Sequence, residues 1–112
     1  MRATTGWGFL LAMAVSSAMA SAAAEESTTP LARGEALLAT NCSRCHAVGR
    51  AGESSHTDAP AFRTLSHRYK IESLSEALAE GLSTGHPDMP EFVFAPEEVG
   101  AIIAYLQSIQ QQ

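Results

Sequence analysis

Residues 41–46 read Asn-Cys-Ser-Arg-Cys-His (NCSRCH) and hold both cysteines of the 112-residue chain. The two thiols stand three positions apart, close to one helical turn, and His46 follows the second directly. Such a stretch suits a redox dithiol, a metal clip or a covalent attachment point. The surrounding sequence decides between them, and with that choice the fold.

Upstream, Met1-Arg2 precedes an apolar run from Gly6 to Ala20 (GWGFLLAMAVSSAMA), and small residues continue to Ala24. This is the pattern of a cleaved export signal, with candidate sites at Ala18-Met19-Ala20, Ala20-Ser21-Ala22 and Ala22-Ala23-Ala24. Ser16 and Ser17 interrupt the run, leaving it short of the ~20 residues a spanning helix needs. Residues 1–24 are therefore expected to be a signal peptide, and 25–112 one domain without a membrane span. Such a domain is near the lower limit of what a single apolar core stabilises, so an added staple is expected. The chain carries a net charge of −5, and loss of Arg2 makes the remainder more acidic. That balance argues against nucleic acid or an anionic membrane surface and favours partners with a basic patch.

Around the motif the pattern is helical. Thr29 is a candidate N-cap and Pro30 suits the first helical position. Leu31, Gly34, Leu37 and Leu38 follow at helical spacing, predicting a helix over 30–41 that runs into the cysteines. Residues 48–60 read as loop, and Phe62, Leu65 and Tyr69 as a short helical turn or two. In KIESLSEALAEG, Ile71, Leu74 and Leu78 line one face and Gly81 is a stop. LSTGHPDMPEFVF, residues 82–94, is a structured loop by its glycine and two prolines. The last helix starts at Pro96, with Glu97 and Glu98 at its positive end. Val99, Ile102, Ile103, Leu106 and Ile109 form its apolar stripe. No run alternates as a strand would, so the domain is all-α with long loops that need something to pack around.

No strand leads into the cysteines as a thioredoxin-like dithiol requires. No second cysteine pair completes a structural zinc site, and a disulfide here would close a loop too short to stabilise much. In an exported chain, C-x-x-C-H is the haem c attachment signature. Cys42 and Cys45, one turn apart, can reach the two vinyl groups of one haem, while His46 projects toward the iron. A low-spin haem needs a second axial ligand, and outside the signal Met89 is the only methionine. His56, expected in solvent, His67, in a short polar helix, and His86, three before Met89, are the competing ligands. Covalent haem would also supply the staple and give the two long loops a body to wall.

From about Leu31 to Ile109 the chain resembles class I cytochrome c. GEALLATNCSRCHAVG, DAPAF, RYKIESLSEALAEG, GHPDMPEFVF and AIIAYLQSI carry the likeness, and the last two are similar to small periplasmic monohaem cytochromes of bacteria. The resemblance implies an all-α fold of about four helices around one covalent haem c, with the first and last helices crossing near Gly34 and Tyr105. It implies that Cys42 and Cys45 bind haem, that His46 and Met89 ligate iron, and that the Pro60 carbonyl holds the His46 ring. The family often uses a tryptophan to hold a propionate. The only one here, Trp7, lies in the expected signal, leaving Tyr69, Arg63 or His67 as substitutes. The lysine-rich docking face of mitochondrial members is lacking too.

The expected function is a monomeric periplasmic one-electron carrier between redox protein donors and acceptors, and not an enzyme. Phe92, Phe94 and Leu82 are expected to keep water from the methionine. The alternatives are a haem sensor or peroxidase-like protein with a weak or displaced Met89, and a haem-free dithiol or metal-binding module.

Overall fold

Thr29 opens the first helix, its Oγ1 accepting the Ala32 N–H at 3.2 Å, and Pro30 occupies the first turn as expected. The structure is a computed structural model that describes residues 3, 28–81, 83 and 85–112. The expected signal with Trp7, except residue 3, and Leu82 of the 82–94 loop lie outside these. Helix α1 spans Pro30–Cys42, α2 Leu74–Glu80 and α3 Pro96–Ile109. Two 3-10 helices, Phe62–His67 and Ile71–Ser73, stand between α1 and α2, and the second runs directly into α2. No strand occurs among the described residues, so the fold is all-α.

The frame is the packing of α1 against α3, the most extensive contact between elements. It depends on Gly34. A Cβ built there would lie 2.1 Å from the Ala101 carbonyl oxygen and 2.8 Å from Tyr105 Cβ. Only a residue without a side chain admits this approach. The expected crossing near Gly34 and Tyr105 is thus present. Val99, Ile102, Leu106 and Ile109 of the α3 stripe are buried, whereas Ile103 is half-buried. Ala101 and Tyr105 are buried as well, because α3 meets α1 on one side and the loops and 3-10 turns on the other. Leu31, which shares the helical spacing of Gly34, Leu37 and Leu38, is exposed. It precedes the crossing by nearly a turn, and the described residues leave it about half exposed.

The ends of α3 are tied down. Glu98 accepts the Ala95 N–H at 3.0 Å, and Gln110 donates to the Phe62 and Leu106 carbonyls at 2.8 and 2.7 Å. The Ser66 N–H donates to Gln110 at 2.8 Å and the Gln111 N–H to the Arg63 carbonyl at 2.8 Å. These bonds fix the first 3-10 helix against α3. Phe62 and Leu65 of that turn are buried, while Tyr69 is exposed just past its end. Gly81 stops α2 at φ 108°, in the region that favours glycine. Among the described residues no helix is long and apolar enough to cross a membrane.

Candidate functional site

Helix α1 delivers the cysteines at its last turn. The Cys42 carbonyl accepts the Cys45 N–H at 3.2 Å and the His46 N–H at 2.9 Å, so the chain coils once more beyond the helix. Asn41 Nδ2 bonds back to the Leu37 carbonyl at 2.8 Å, and the Ser43 hydroxyl to that of Ala39. Both cysteines are free and half-buried. Burial, with a smaller contribution from Cys45, pushes the Cys42 thiol up to about 11. A redox or metal-binding cysteine needs its thiolate accessible near neutral pH, so this thiol is the reverse of an activated one.

His46 is held from two sides. Its Nδ1 lies 2.8 Å from the Pro60 carbonyl oxygen, and its ring is tilted 32° to Phe62 with centroids 4.6 Å apart. A carbonyl only accepts, so Nδ1 carries the proton and Nε2 is left with a free lone pair. The 47–61 loop is fastened to the same turn. The Phe62 N–H donates to the Ala47 carbonyl at 2.9 Å, the Ala47 N–H to Ser54 at 3.0 Å, and the His56 N–H to the Cys45 carbonyl at 3.2 Å. Tyr105 of α3 reaches across to the Val48 carbonyl at 2.8 Å. Burial, then Glu35, raises its phenol above the usual range, and Arg50 acts against them.

Met89 lies in a turn on the 82–94 loop, its N–H donating to the His86 carbonyl at 3.2 Å, and is half-buried. The loop rejoins the frame where the Phe94 N–H donates to the Leu78 carbonyl at 2.9 Å. Phe94 is buried and stacked on the half-buried Phe92 at 6.1 Å. Cys42, Cys45, His46 and Pro60 thus come together directly. Met89 is tied to them through its neighbours, because His56 Nε2 lies 3.2 Å from Asp88 Oδ2 and His86 Nε2 lies 3.5 Å from Asp58 Oδ2. One expectation is corrected by the burial of His56. His56 is half-buried rather than in solvent, and His86 engages the neighbouring loop. Sequence reasoning missed Asp58 and Asp88, although each follows its histidine by two in His56-Thr57-Asp58 and His86-Pro87-Asp88. Of the expected propionate substitutes, Tyr69 and His67 are exposed, with His67 Nε2 3.2 Å from the Gln111 carbonyl oxygen. Arg63 has a buried Nη1 without a hydrogen-bond partner among the described residues.

A family model described as cytochrome c oxidase, cbb3-type, subunit III matches residues 29–106. Cytochrome c-552 of Bradyrhizobium diazoefficiens is 33% identical over 103 residues, covering 92% of this chain and 93% of that protein. No solved structure matches. The chain belongs to the class I cytochrome c family, small proteins that carry haem and transfer electrons.

Proposed function

From that membership we propose that the chain is an exported periplasmic one-electron carrier with a single haem c. In this reading Cys42 and Cys45 would bind the haem through thioethers, His46 and Met89 would ligate its iron, and the mature domain is 25–112. The observation that carries it is the His46–Pro60 contact at 2.8 Å beside two unpaired cysteines. It leaves one imidazole nitrogen free and aimed by a fixed partner, as a metal-ligating histidine requires.

The residues present fit the group. Leu37, Cys42, Val48, Leu74, Leu78, Phe92 and Ile103 are only partly buried against the core, and α2 has no fully buried residue. These apolar surfaces suit a large flat partner. The orphaned Arg63 Nη1 suits a propionate, which would satisfy it by a charge-assisted bond.

Bound haem supplies an iron that cycles between two oxidation states without exchanging ligands. The protein holds the ring of His46 in one tautomer, offers the soft sulfur of Met89 and excludes water with Phe92 and Phe94. A thioether ligand and a dry pocket favour the reduced state and raise the potential. An acidic surface favours basic faces on donor and acceptor, and steers their encounter more than it tightens the complex.

The test is chemical. Protein matured in a haem-attaching host is extracted with acidic acetone after denaturation and weighed. The haem is expected to stay with the chain, adding the mass of one group. Cys42→Ser/Cys45→Ser protein, which leaves no thiol for a thioether, is expected to lose it. Full extraction of haem from the parent protein would refute covalent attachment.

A further inference from the structure

Outside the haem-binding residues, two loops meet at four side chains that repeat one pattern. His56-Thr57-Asp58 comes from the loop beside His46, and His86-Pro87-Asp88 from the loop that carries Met89. Each histidine faces the other loop's aspartate, at 3.2 Å for His56–Asp88 and 3.5 Å for His86–Asp58. The two rings stand at 88° with centroids 5.3 Å apart, so neither stacks over the other. One ligand atom from each of His56, His86 and Asp88 lies within 4.8 Å of the other two.

From this geometry we propose that His56, His86, Asp58 and Asp88 bind one divalent cation of the zinc class. His56 Nε2 and Asp88 Oδ2 are hydrogen-bonded at 3.2 Å, and the His86–Asp58 pair at 3.5 Å is looser than an ordinary N–H···O bond. Zinc bonds of about 2.0–2.2 Å put tetrahedral ligand atoms roughly 3.3–3.6 Å apart, a span that holds the 3.5 Å pair and that the 3.2 Å pair reaches with a small outward shift. The set has two imidazoles and two carboxylates. Imidazole selects a borderline transition ion over calcium or magnesium, which prefer all-oxygen shells. Two carboxylates neutralise a dipositive charge.

All four side chains keep solvent access, from 30% for His56 to 69% for Asp58, so an ion reaches them directly. Closing the site requires the remaining separations to contract. Among the described residues, contacts from two backbone amides also have to be exchanged. The Asp58 N–H donates to His56 Nδ1 at 3.2 Å and the Asp88 N–H to His86 Nδ1 at 3.3 Å. Ligation through Nε2 moves each ring proton to Nδ1, and these exposed amides then turn to water. The bound ion would staple the loop of Met89 to the loop of His46.

The experiment uses tag-free, haem-loaded protein, stripped with a chelator and titrated calorimetrically with Zn(II). One equivalent is expected to bind. Affinity is expected to fall by more than about tenfold in His56→Ala and His86→Ala, to weaken in Asp88→Asn, and to be unchanged in His67→Ala. Should an alanine variant fail to fold, Asp58→Asn/Asp88→Asn keeps the side-chain shapes. Loss of zinc there, with an unaltered far-ultraviolet spectrum, also supports the site. No binding by the parent protein, or equal affinity in a folded His56→Ala, would overturn it and leave two ring–carboxylate pairs. The site does not depend on the haem ligands. An error in those alters the visible spectrum and leaves zinc stoichiometry as it is.

Discussion

The helix crossing and the facing loops are held in different ways. Where α1 meets α3, shape does the holding: Gly34 lies against backbone, and Ile102 and Ile109 are fully buried. Pro60 ties the 47–61 loop to His46, and where that loop meets the 82–94 loop the ties are polar, from His56 and His86 to the aspartates. A packed surface tolerates no added atom, whereas polar ties in partly exposed loops open at small cost. Changes at the crossing should therefore cost stability, and changes in the loops should alter the haem while leaving the fold in place.

The largest expected loss is Ile102→Ala. It empties a fully buried position and should lower unfolding free energy by about 3–4 kcal/mol in a denaturant titration. Gly34→Ala sharpens the contrast, because helix propensity alone would gain about 0.5–1 kcal/mol. Here the added methyl meets the Ala101 carbonyl, and a loss of about 2 kcal/mol is expected. A stabilised Gly34→Ala protein would break the account of the crossing.

Tyr105 joins the two regions, packing on α1 while bonding to Val48 in the loop. Tyr105→Phe is expected to cost about 1 kcal/mol at neutral pH through the Val48 carbonyl it leaves unpaired. It should also change the alkaline limb of stability. The folded phenol keeps its proton to higher pH than the unfolded one. Its contribution is complete below the unfolded value of about 10 and is lost as pH rises toward and through the folded value. The phenylalanine protein should lack that part of the decline, as pH-dependent melting would show.

Much of the frame was legible because it is written in short-range signals. Thr29-Pro30, Pro96-Glu97-Glu98 and the Val99–Ile109 stripe each specify a helix end or face from neighbouring residues. NCSRCH and Met89, the one methionine outside the expected signal, are likewise local signals, and they carry the proposed haem ligands. What was hidden depends on distance along the chain. Leu31 obeys the α1 spacing yet is exposed, because helical spacing alone does not say which residues a distant element covers. The His56–Asp88 pair joins residues 32 apart across two loops without periodicity, so no local pattern predicts it. The repeated His-x-Asp was the one available signal.

The central claim is that His46 and Met89 would ligate the haem iron, and optical spectra of ferric parent and Met89→Ala protein test it most directly. The parent should be low-spin with the weak methionine-to-iron charge-transfer band. Met89→Ala should lose that band, bind added ligands and titrate at a lower potential, with stability changed by less than about 1 kcal/mol. A high-spin parent, or an unchanged Met89→Ala spectrum with His86→Ala disturbed instead, would contradict the assignment.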